Sequence, residues 1–491
     1  NFEAKALVGE VLIGEDRLRF AEREVVFVYT DRQTLARIVA SSDAVAEIRL
    51  GRDDASFFTS GEGRDDQGGW IEAAIERMRF SETADAVAVC LLDTGVNRAH
   101  PLLAPVFAAV DLHSVNPAWG TDDHHGHGSE MSGLAFFGDL TVKLASTDPL
   151  AISYVGEAVK LLPPGGFPVT QPQSYGLVTQ QAILRPEIAR PDRERVFCMA
   201  VTQAEVHGPK ATSWSAAVDT MAFGGSELGD LRQRLICVSA GNLPDGLTHD
   251  ELEDWDSYEI EDPAHAWNVL SVGGYTQKGP IADKGFEHWN CAVAPGALSP
   301  YSRVSAAWYR GVSPIKPELV LEAGNKGIDS ADSSMVSGMD SLSLLTTSRD
   351  SLVHPLTLSW ATSAATAQLS GMAAEILADD PALWPETVRA LLVHSARWTP
   401  PMEQALLGTV QKSERLLMLR RFGYGVPSTE RALRSASNSL ALLAQQEIQP
   451  FQHGRGGTKL NQAHFFALPW PRETLLALGE HEVRLRVSLS Y

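Results

Sequence analysis

The sequence predicts an α/β protein built around a doubly wound parallel β-sheet. Continuous apolar runs at residues 86–92, 196–201 and 235–240 are typical of strands that are buried on both faces of a sheet. Stretches with helical signals alternate with these runs, as at residues 214–222, which precede the third run. Strands that alternate with helices in this way form a parallel sheet with helices packed on both of its faces.

The first of three predicted regions is a small accessory α/β region at residues 1–80. Two apolar runs, at residues 25–29 and 44–50, flank a helical stretch at residues 31–40, which gives a strand–helix–strand pattern. The polar, glycine-rich residues 61–69 that follow are predicted to form a flexible loop or linker.

The second region, residues 81–435, is predicted to hold the parallel sheet. Small side chains at residues 129–135 and 364–374 favour two close-packed helices, and Pro385 marks the first turn of a third helix. Residues 329–351 are dense in Asp and Ser, so we predict that they form a surface insertion.

The third region, residues 436–491, is predicted to be rich in β-structure. Residues 481–491 alternate between polar and apolar at period two, which indicates a half-buried strand. Because a strand needs neighbours, we expect this region to be only the start of a β-rich C-terminal domain.

The composition excludes some classes of partner. The chain has 491 residues, of which 61 are acidic and 41 basic, and its formal net charge is −20. This charge opposes non-specific binding to nucleic acid and to anionic lipid. No run approaches the roughly 18 apolar residues that a membrane-spanning helix needs. We therefore expect neither nucleic acid nor a membrane as a partner.

The cysteines bear on the cellular compartment. Cys90, Cys198 and Cys237 fall inside apolar runs and are predicted to be buried free thiols rather than disulfide partners. No secretory signal is visible at the start of the sequence. These two observations favour a cytoplasmic location.

Three distant residues have the chemistry of a nucleophilic triad. Asp93 ends the apolar run 86–92, His127 lies between two glycines at a predicted helix start, and Ser363 precedes a predicted helix. A serine hydroxyl becomes an effective nucleophile when an imidazole takes its proton, and a carboxylate then orients the imidazole and stabilises the imidazolium. Open α/β sheets place such sites at the carboxyl ends of their strands, which is the predicted position of Asp93.

A fourth residue completes this chemistry. Asn242 follows the apolar run 235–240 through Gly241, so its side-chain amide is predicted to donate to the oxyanion that forms during acyl transfer. The backbone N–H of Ser363 is a second donor, because the first N–H groups of a helix have no partner within the helix.

These segments resemble the motifs of the subtilisin-like serine proteases, the subtilase family. Residues 93–95 match its Asp-Thr/Ser-Gly motif and residues 123–129 its Asp-x-x-Gly-His-Gly-Thr motif. Residues 240–242 match its Ala-Gly-Asn motif, and residues 362–363 match the centre of its Gly-Thr-Ser-x-Ala motif. The resemblance covers roughly residues 85–430 and includes the family's chain order of Asp, His and Ser.

The resemblance implies a subtilisin-like catalytic domain and a serine endopeptidase that hydrolyses peptide bonds through an acyl-enzyme. Ser363 is then the nucleophile, His127 the general base and later the general acid, and Asp93 the residue that orients His127. Asn242 and the Ser363 N–H form the oxyanion hole. The expected substrate is a protein or peptide; no cofactor and no metal ligand are predicted, and no motif identifies a calcium site.

The resemblance also bears on regulation, since it is to cytoplasmic bacterial members of the family. Residues 1–80 are then either a propeptide-like element that inhibits the site or docks a partner, or a lid packed against the catalytic core. A regulatory protein partner such as an ATPase is a further expectation from the resemblance.

Four positions depart from the family pattern without removing a reacting group. Ala361 replaces the glycine before Thr-Ser, Glu130 replaces a histidine, and Ala367 stands where a proline follows the nucleophile. If residue 361 needs a positive φ, its alanine adds strain or reduces access to the oxyanion hole. Thr202 replaces a glycine on the substrate-binding strand, which is expected to narrow the primary specificity pocket.

The same residues allow three other interpretations of function. Asp-Thr-Gly is also a motif of aspartic proteases, but their chemistry needs two carboxylates that share a proton, and the sequence has no comparable second motif. The acidic and histidine residues at 122–127 have the side chains of a metal site, but adjacent ligands rarely converge on one ion. The third reading is a catalytically silent scaffold with the subtilase fold, suggested by Ala361 and Glu130.

Overall fold

The computed structural model describes thirteen stretches of the chain: residues 11–19, 24–30, 32–40, 45, 54–59, 64, 67–204, 208–224, 232–308, 313–406, 411–437, 441–468 and 470–491. The chain divides into two units, Asn1–Asp53 and Asp54–Tyr491. The three predicted regions with boundaries at 80 and 435 stay a prediction.

The smaller unit contains a strand pair and a helix. Strand β1 (Leu12–Arg19) pairs antiparallel with β2 (Glu24–Tyr29), and helix α1 (Arg32–Ala40) follows. The strand at β2 and the helix at α1 are confirmed, whereas β1 was not predicted. The predicted strand at residues 44–50 lies outside the described residues except for Val45.

The strands of the larger unit are short, and the seven longest parallel ones form one sheet. In chain order the strands are β3 (Met78–Phe80), β4 (Val87–Asp93), β5 (Phe107–Ser114), β6 (Leu150–Ile152), β7 (Val155–Lys160), β8 (Glu194–Met199), β9 (Leu235–Ser239), β10 (Leu270–Tyr275), β11 (Trp289–Cys291), β12 (Leu319–Glu322), β13 (Gly327–Asp329), β14 (Met335–Val336), β15 (Leu344–Thr347), β16 (Leu356–Ser359), β17 (Phe451–Gly454) and β18 (Gly457–Leu460). The order across the main sheet is β12-β10-β9-β8-β4-β7-β5, and each neighbouring pair is parallel.

Helices connect these strands and follow the sheet. They are α2 (Ser56–Thr59), α3 (Gln67–Glu76), α4 (His127–Phe137), α5 (Leu140–Ala145), α6 (Tyr175–Ala189), α7 (Ser213–Phe223), α8 (Ala361–Asp379), α9 (Pro385–Ser395), α10 (Pro400–Gln404), α11 (Lys412–Phe422), α12 (Thr429–Ser437) and α13 (Arg472–Leu478). Short 3₁₀ helices occur at Ala84–Ala86, Pro117–Trp119, Pro172–Ser174, Asp250–Ser257 and Asp340–Leu342.

Both faces of the sheet are buried, which confirms the doubly wound α/β fold. Alternate residues of β4 point to opposite faces: Val89 and Leu91 join a hydrophobic cluster with α4 and α8, and Cys90 and Leu92 join a second cluster with α6 and α7. Each fully buried side chain of this size stabilises the fold by about 1.5–3 kcal/mol. The continuous apolar runs of the sequence therefore mark strands that are covered on both sides.

The small residues of α4 and α8 let these two helices pack closely. A Cβ atom at Gly371 in α8 would lie only 2.0 Å from the carbonyl oxygen of Ala135 in α4. Any side chain at this position would therefore force the helices apart.

The predicted surface insertion at residues 329–351 is only half correct. Its first part is exposed around Ser330, but β15 is buried and pairs antiparallel with β16. The hydroxyls of Thr346 and Thr347 donate to the carbonyls of Glu130 and Ser129, both at 2.7 Å. Hydroxyl side chains resemble surface residues in a sequence, but here helix carbonyls satisfy them inside the protein.

In the C-terminal region, β17 and β18 form a hairpin, whereas the predicted strand at residues 481–491 is wrong. These residues have no regular structure, and their apolar side chains are exposed: Val483 is 51 % exposed and Leu489 is 83 % exposed. The alternating pattern gives no strand because, among the described residues, no neighbouring strand pairs with this segment.

The structure also describes the cysteines and the apolar content of the helices. Cys90, Cys198 and Cys237 are buried free thiols, as predicted, and Cys291 is a partly exposed free thiol. In the part of the chain that the structure describes, no helix is both long enough and apolar enough to cross a membrane.

Candidate active site

All four predicted site residues lie at the same edge of the sheet. Asp93 is the last residue of β4, Asn242 follows β9, His127 begins α4, and Ser363 lies in the first turn of α8. His127, Asn242 and Ser363 line one open cleft with a volume of about 760 Å³. The carboxyl ends of parallel strands and the amino ends of the helices therefore converge, as the sequence predicts.

Asp93 and His127 form a close pair. The imidazole Nδ1 is 2.8 Å from Oδ1 and 2.9 Å from Oδ2 of Asp93. Because a carboxylate only accepts hydrogen bonds, Nδ1 carries the proton and Nε2 is left for proton exchange. The side chain of Asp93 is only 2 % exposed, whereas that of His127 is 27 % exposed, so the carboxylate is buried behind an imidazole that reaches the cleft.

Asp123 fixes the start of the His127 helix, a role that the sequence analysis missed. Its Oδ1 accepts hydrogen bonds from the backbone of Gly126 at 2.7 Å and of His125 at 3.0 Å, and its Oδ2 accepts one from Ser129 at 2.8 Å. Burial acts to raise the pKa of Asp123, but these amide bonds outweigh burial and lower it. An Asp just before a predicted helix is a capping signal that was available in the sequence.

Backbone amides thus occupy the oxygens of Asp123, and this one residue of the 122–127 cluster supports the amino end of α4. Within the described ranges, no three His, Cys, Asp or Glu side chains are arranged to hold a metal ion.

The Asp93 turn and the His127 helix meet through their backbones. A Cβ atom at Gly128 would lie 2.0 Å from the carbonyl oxygen of Gly95, and Gly95 has a φ of +104°. The Thr94 hydroxyl accepts from the Gly128 N–H at 2.9 Å and donates to Asp123 at the same distance. Gly95 and Gly128 are therefore required by sterics, because a side chain at either position would clash or strain the backbone.

The charges around His127 favour its protonated form. Burial lowers its pKa, but the adjacent Asp93 carboxylate, with smaller contributions from Glu130 and Asp123, raises the pKa of His127 to about 9. At pH 7, below this value, the imidazole is mostly protonated.

Asn242 has its side-chain orientation fixed by Thr362, another residue without a predicted role. Its Oδ1 accepts from the Thr362 N–H at 3.0 Å and from the Thr362 hydroxyl at 2.7 Å. Because Oδ1 is occupied in this way, the NH2 group is the end of the amide that is free to donate into the cleft.

The hydroxyl of Ser363 has a partner other than His127. It donates to the backbone carbonyl of Ala200 at 3.0 Å, and the residue is 8 % exposed. The Ser363 hydroxyl must therefore rotate away from Ala200 before it can donate to Nε2 of His127. Catalytic hydrogen bonds that form only in the substrate complex are common among enzymes.

Ala361 has the backbone conformation that the family glycine would adopt more easily. Its φ is +73°, in the left-handed region. A residue with a Cβ atom is strained there by about 1–2 kcal/mol. The strain expected from the sequence is therefore confirmed, and it lies two residues before Ser363 in the same helical turn.

Thr202, the other departure near the site, makes a specific contact. Its hydroxyl donates to Oε2 of Glu261 at 2.5 Å. The threonine, two residues after Ala200 in the segment that follows β8, is thus joined to a buried carboxylate. The narrowing of the specificity pocket stays a prediction.

The sequence and the structure were compared with known proteins. The model of the subtilase family matches residues 84–425, a range that includes all four site residues. A curated relative, the uncharacterized protein y4bN of Sinorhizobium fredii (strain NBRC 101917 / NGR234), is 29 % identical over 320 residues. The match covers 61 % of this chain and 64 % of the relative, so the chain spans slightly less than two thirds of the relative's length.

Three solved structures are similar to the chain at low identity. A lanthipeptide protease has a TM-score of 0.44 at 17 % identity, with 78 % of this chain and 95 % of that chain covered. Sphericase has a TM-score of 0.39 at 18 % identity, and the S41 psychrophilic protease has 0.41 at 17 %. For both of these, 66 % of this chain and 88 % of that chain are covered.

Replacement of Ala361 by glycine is expected to stabilise the protein. The change removes about 1–2 kcal/mol of strain and costs about 0.5–1 kcal/mol of backbone entropy. The free energy of unfolding, measured by urea denaturation, should therefore rise by up to about 1.5 kcal/mol. The control is Ala373→Gly, a buried position in the interior of the same helix, which should lower it by about 1 kcal/mol of helix propensity plus about 0.8 kcal/mol for the lost buried methyl group. Equal losses in the two variants would contradict the strain at residue 361.

Replacement of Glu130 by glutamine is expected to lower the pKa of His127 below about 9, because it removes a negative charge that favours the imidazolium. Titration of isotope-labelled histidine by NMR, with His127→Gln to identify the signal, measures this pKa. Glu375→Gln, at the far end of α8, is the charge-matched control and should leave the midpoint unchanged. A midpoint that does not move in Glu130→Gln would show that Glu130 has no electrostatic effect on His127.

The same pKa has a consequence for stability. The folded pKa of His127 lies above the unfolded value of about 6.5. The stabilisation from its charge is therefore complete below about pH 6.5 and is lost as the pH rises through about 9.

Proposed function

Because the chain belongs to the subtilase family, we propose that it is a serine endopeptidase with Asp93, His127 and Ser363 as its catalytic triad. The observation that carries this proposal is the Asp93–His127 pair at 2.8 Å, beside a cleft that His127 lines together with Ser363 and Asn242. The proposed substrate is a protein or a peptide that lies extended in this cleft.

In the proposed reaction, neutral His127 takes the proton of Ser363 through Nε2 while Oγ attacks the carbonyl carbon of the scissile bond. Asp93 stabilises the imidazolium that forms. The NH2 group of Asn242 and the N–H of Ser363 donate to the oxyanion of the tetrahedral intermediate. The imidazolium then gives its proton to the leaving amine, and an acyl-enzyme remains, which water hydrolyses by the reverse sequence.

Two features describe a resting state in this proposal. The Ser363 hydroxyl is bound to Ala200, and the imidazole is mostly protonated at neutral pH. Both the rotation of Ser363 and the loss of a proton from His127 precede attack, so reactivity should increase with pH up to about 9.

We also propose that part of the accessory region gates the cleft. Thr59, Arg64 and Gln67 line it together with the catalytic side chains. The Thr59 hydroxyl donates to Asp340 at 2.6 Å, and Arg64 is 3.0 Å from Nε2 of His354. These contacts attach residues from before the catalytic sheet to the far wall of the cleft and thereby restrict its entrance.

Gln67 makes the most direct link to the nucleophile's segment. Its Oε1 accepts from the N–H of Leu356 at 3.2 Å, and its Nε2 donates to the carbonyl of Phe58 at 2.7 Å. Leu356 begins β16, which leads to Ser363. Residues 67–69, predicted as part of a flexible loop or linker, instead begin helix α3, and the amide of Gln67 is held at both ends.

The alternative function is a catalytically silent scaffold. The bond between Ser363 and Ala200 favours it, because it engages the hydroxyl with a partner other than His127, and the strain at Ala361 beside it is a cost that the family glycine would not carry. The regulatory protein partner, such as an ATPase, and the cytoplasmic location that the sequence indicates stay predictions.

Covalent labelling with a fluorophosphonate probe tests the proposed function. We expect the wild-type protein to be modified at Ser363, because the probe needs an activated serine, and we expect no labelling of Ser363→Ala. The control is Ser370→Ala, which removes a hydroxyl that donates to Thr366 in the same helix and should label at the wild-type rate. Mass spectrometry locates the modified residue. A wild-type protein that stays unlabelled up to pH 9 would favour the scaffold.

The gate is tested by the double variant Thr59→Val, Arg64→Gln. Each lost hydrogen bond contributes about 1 kcal/mol, so loss of two shifts the opening equilibrium by up to roughly 30-fold. We expect probe labelling of Ser363 to become at least about threefold faster. Thr59→Ser keeps the hydroxyl and should label at the wild-type rate. An unchanged rate in the double variant would show that these contacts do not restrict the cleft.

A further inference from the structure

We propose that a buried ion pair between Glu261 and Arg303 positions Asn242 as an oxyanion donor. This inference rests on the proposed protease function, since it assigns both residues a part in stabilising the oxyanion. Glu261 and Arg303 are 5 % and 7 % exposed, and they act through Asn242 rather than on the substrate. They are therefore positioning residues.

Arg303 holds the backbone of Asn242 from behind. Its Nε donates to the carbonyl oxygen of Asn242 at 2.7 Å and is 2.9 Å from Oε1 of Glu261. A second nitrogen of the guanidinium, Nη1, donates to the carbonyl of Glu259 at 3.1 Å. The guanidinium thus joins the oxyanion residue to the segment that carries Glu261.

Glu261 lies between the two strand ends that flank the nucleophile. On one side its carboxylate packs on Gly241, where a Cβ atom would lie 2.5 Å from the Glu261 side chain. On the other side Oε2 accepts from the Thr202 hydroxyl at 2.5 Å. Thr202 follows Ala200 by two residues, and Ala200 accepts the hydrogen bond of Ser363. The Glu261 carboxylate therefore contacts both the segment that leads to Asn242 and the segment that carries Ala200.

The backbone around Asn242 is fixed on both sides by the same two segments. The N–H of Glu261 donates to Ala240 at 3.1 Å, and the N–H of Leu243 donates to Tyr301 at 3.0 Å. Asn242 itself forms an antiparallel bridge with Ser302. The ion pair joins the two segments to each other, because Glu261 belongs to one of them and Arg303 to the other.

The two ends of Asn242 therefore have separate supports. Thr362 fixes the amide of the side chain, and Arg303 fixes the carbonyl of the backbone. A donor stabilises an oxyanion only if it is held close to the position where the charge develops. Loss of either support should lower the rate of acylation without removal of any group that touches the substrate.

A second buried ion pair, near the other end of β9, offers a matched control. Arg234 binds both carboxylate oxygens of Glu187, at 2.7 and 2.8 Å, and these side chains are 3 % and 9 % exposed. Arg234 lies just before the amino end of β9, whereas Asn242 follows its carboxyl end. Disruption of this pair should destabilise the fold in a similar way but at the opposite edge of the sheet from the catalytic residues.

The test is a double-mutant cycle read out by the rate constant of fluorophosphonate labelling at Ser363, for the full chain. We expect Arg303→Met to slow labelling about 10-fold and Asn242→Ala to slow it about 100-fold or more, the loss that subtilisin shows without one oxyanion donor. In the Asn242→Ala background, Arg303→Met should change the rate by less than about twofold, since its effect passes through the missing amide. Arg234→Met should leave the rate per folded molecule unchanged.

A second variant covers the case in which Arg303→Met does not fold. If Arg303→Met fails to fold, the double variant Glu261→Met, Arg303→Met removes both charges, leaves no unpaired buried charge and should show the same non-additive slowing. Thermal unfolding gives the folded fraction of each variant. A full 10-fold loss in the Asn242→Ala background, or an equal loss in Arg234→Met, overturns the inference and leaves the protease function standing. A wild-type protein without labelling overturns both.

Discussion

The position of Ser363, the proposed nucleophile, depends on the close packing of α8 against the sheet and against α4. This helix contacts α4 and the strands β4, β8, β9, β10 and β12. Its small residues, above all Gly371 against the Ala135 carbonyl, allow that approach. Since Asp93 ends one strand of this sheet, Asn242 follows another and His127 begins α4, one packing arrangement sets the distances among all four predicted site residues. The proposed triad therefore depends on steric fit as much as on the chemistry of its members.

The parts of the site that the sequence predicts are those that local patterns define. Apolar runs locate the strand ends at Asp93 and Asn242, and glycine or small-residue patterns locate the helix starts at His127 and Ser363. The supports of these residues come from far along the chain, as when Thr362 fixes Asn242 across 120 positions. The bond between Ser363 and Ala200 is a choice between side-chain rotamers, which a sequence pattern does not specify. Thr346 and Thr347 look like surface residues in the sequence because the helix carbonyls that accept from their hydroxyls lie more than 200 positions away.

Negative charge dominates the site, and it has two opposite effects on the proposed chemistry. Asp93 and Glu130 stabilise the imidazolium that catalysis generates, but they also favour it before the reaction begins. The hydrogen bond from Ser363 to Ala200 also belongs to the state before the reaction, and the strained Ala361 lies beside it. Together they describe a site whose groups are all present and whose resting state is stable. In the proposed mechanism, access and protonation, rather than the identity of the residues, then determine when the site reacts.

The threonine contacts between β15 and α4 have a consequence for biosynthesis. Thr346 and Thr347 support carbonyls at Glu130 and Ser129, more than 200 positions earlier in the chain. The helix that presents His127 therefore lacks these supports until the ribosome has made the second half of the protein, and Ser363 follows later still. From His127 to Ser363 is 236 positions, because 363 − 127 = 236. At about 5–20 residues per second, translation of that distance takes roughly 12–47 seconds. During this interval the emerging chain carries an acid and a base without a nucleophile, so synthesis itself delays the completion of the site.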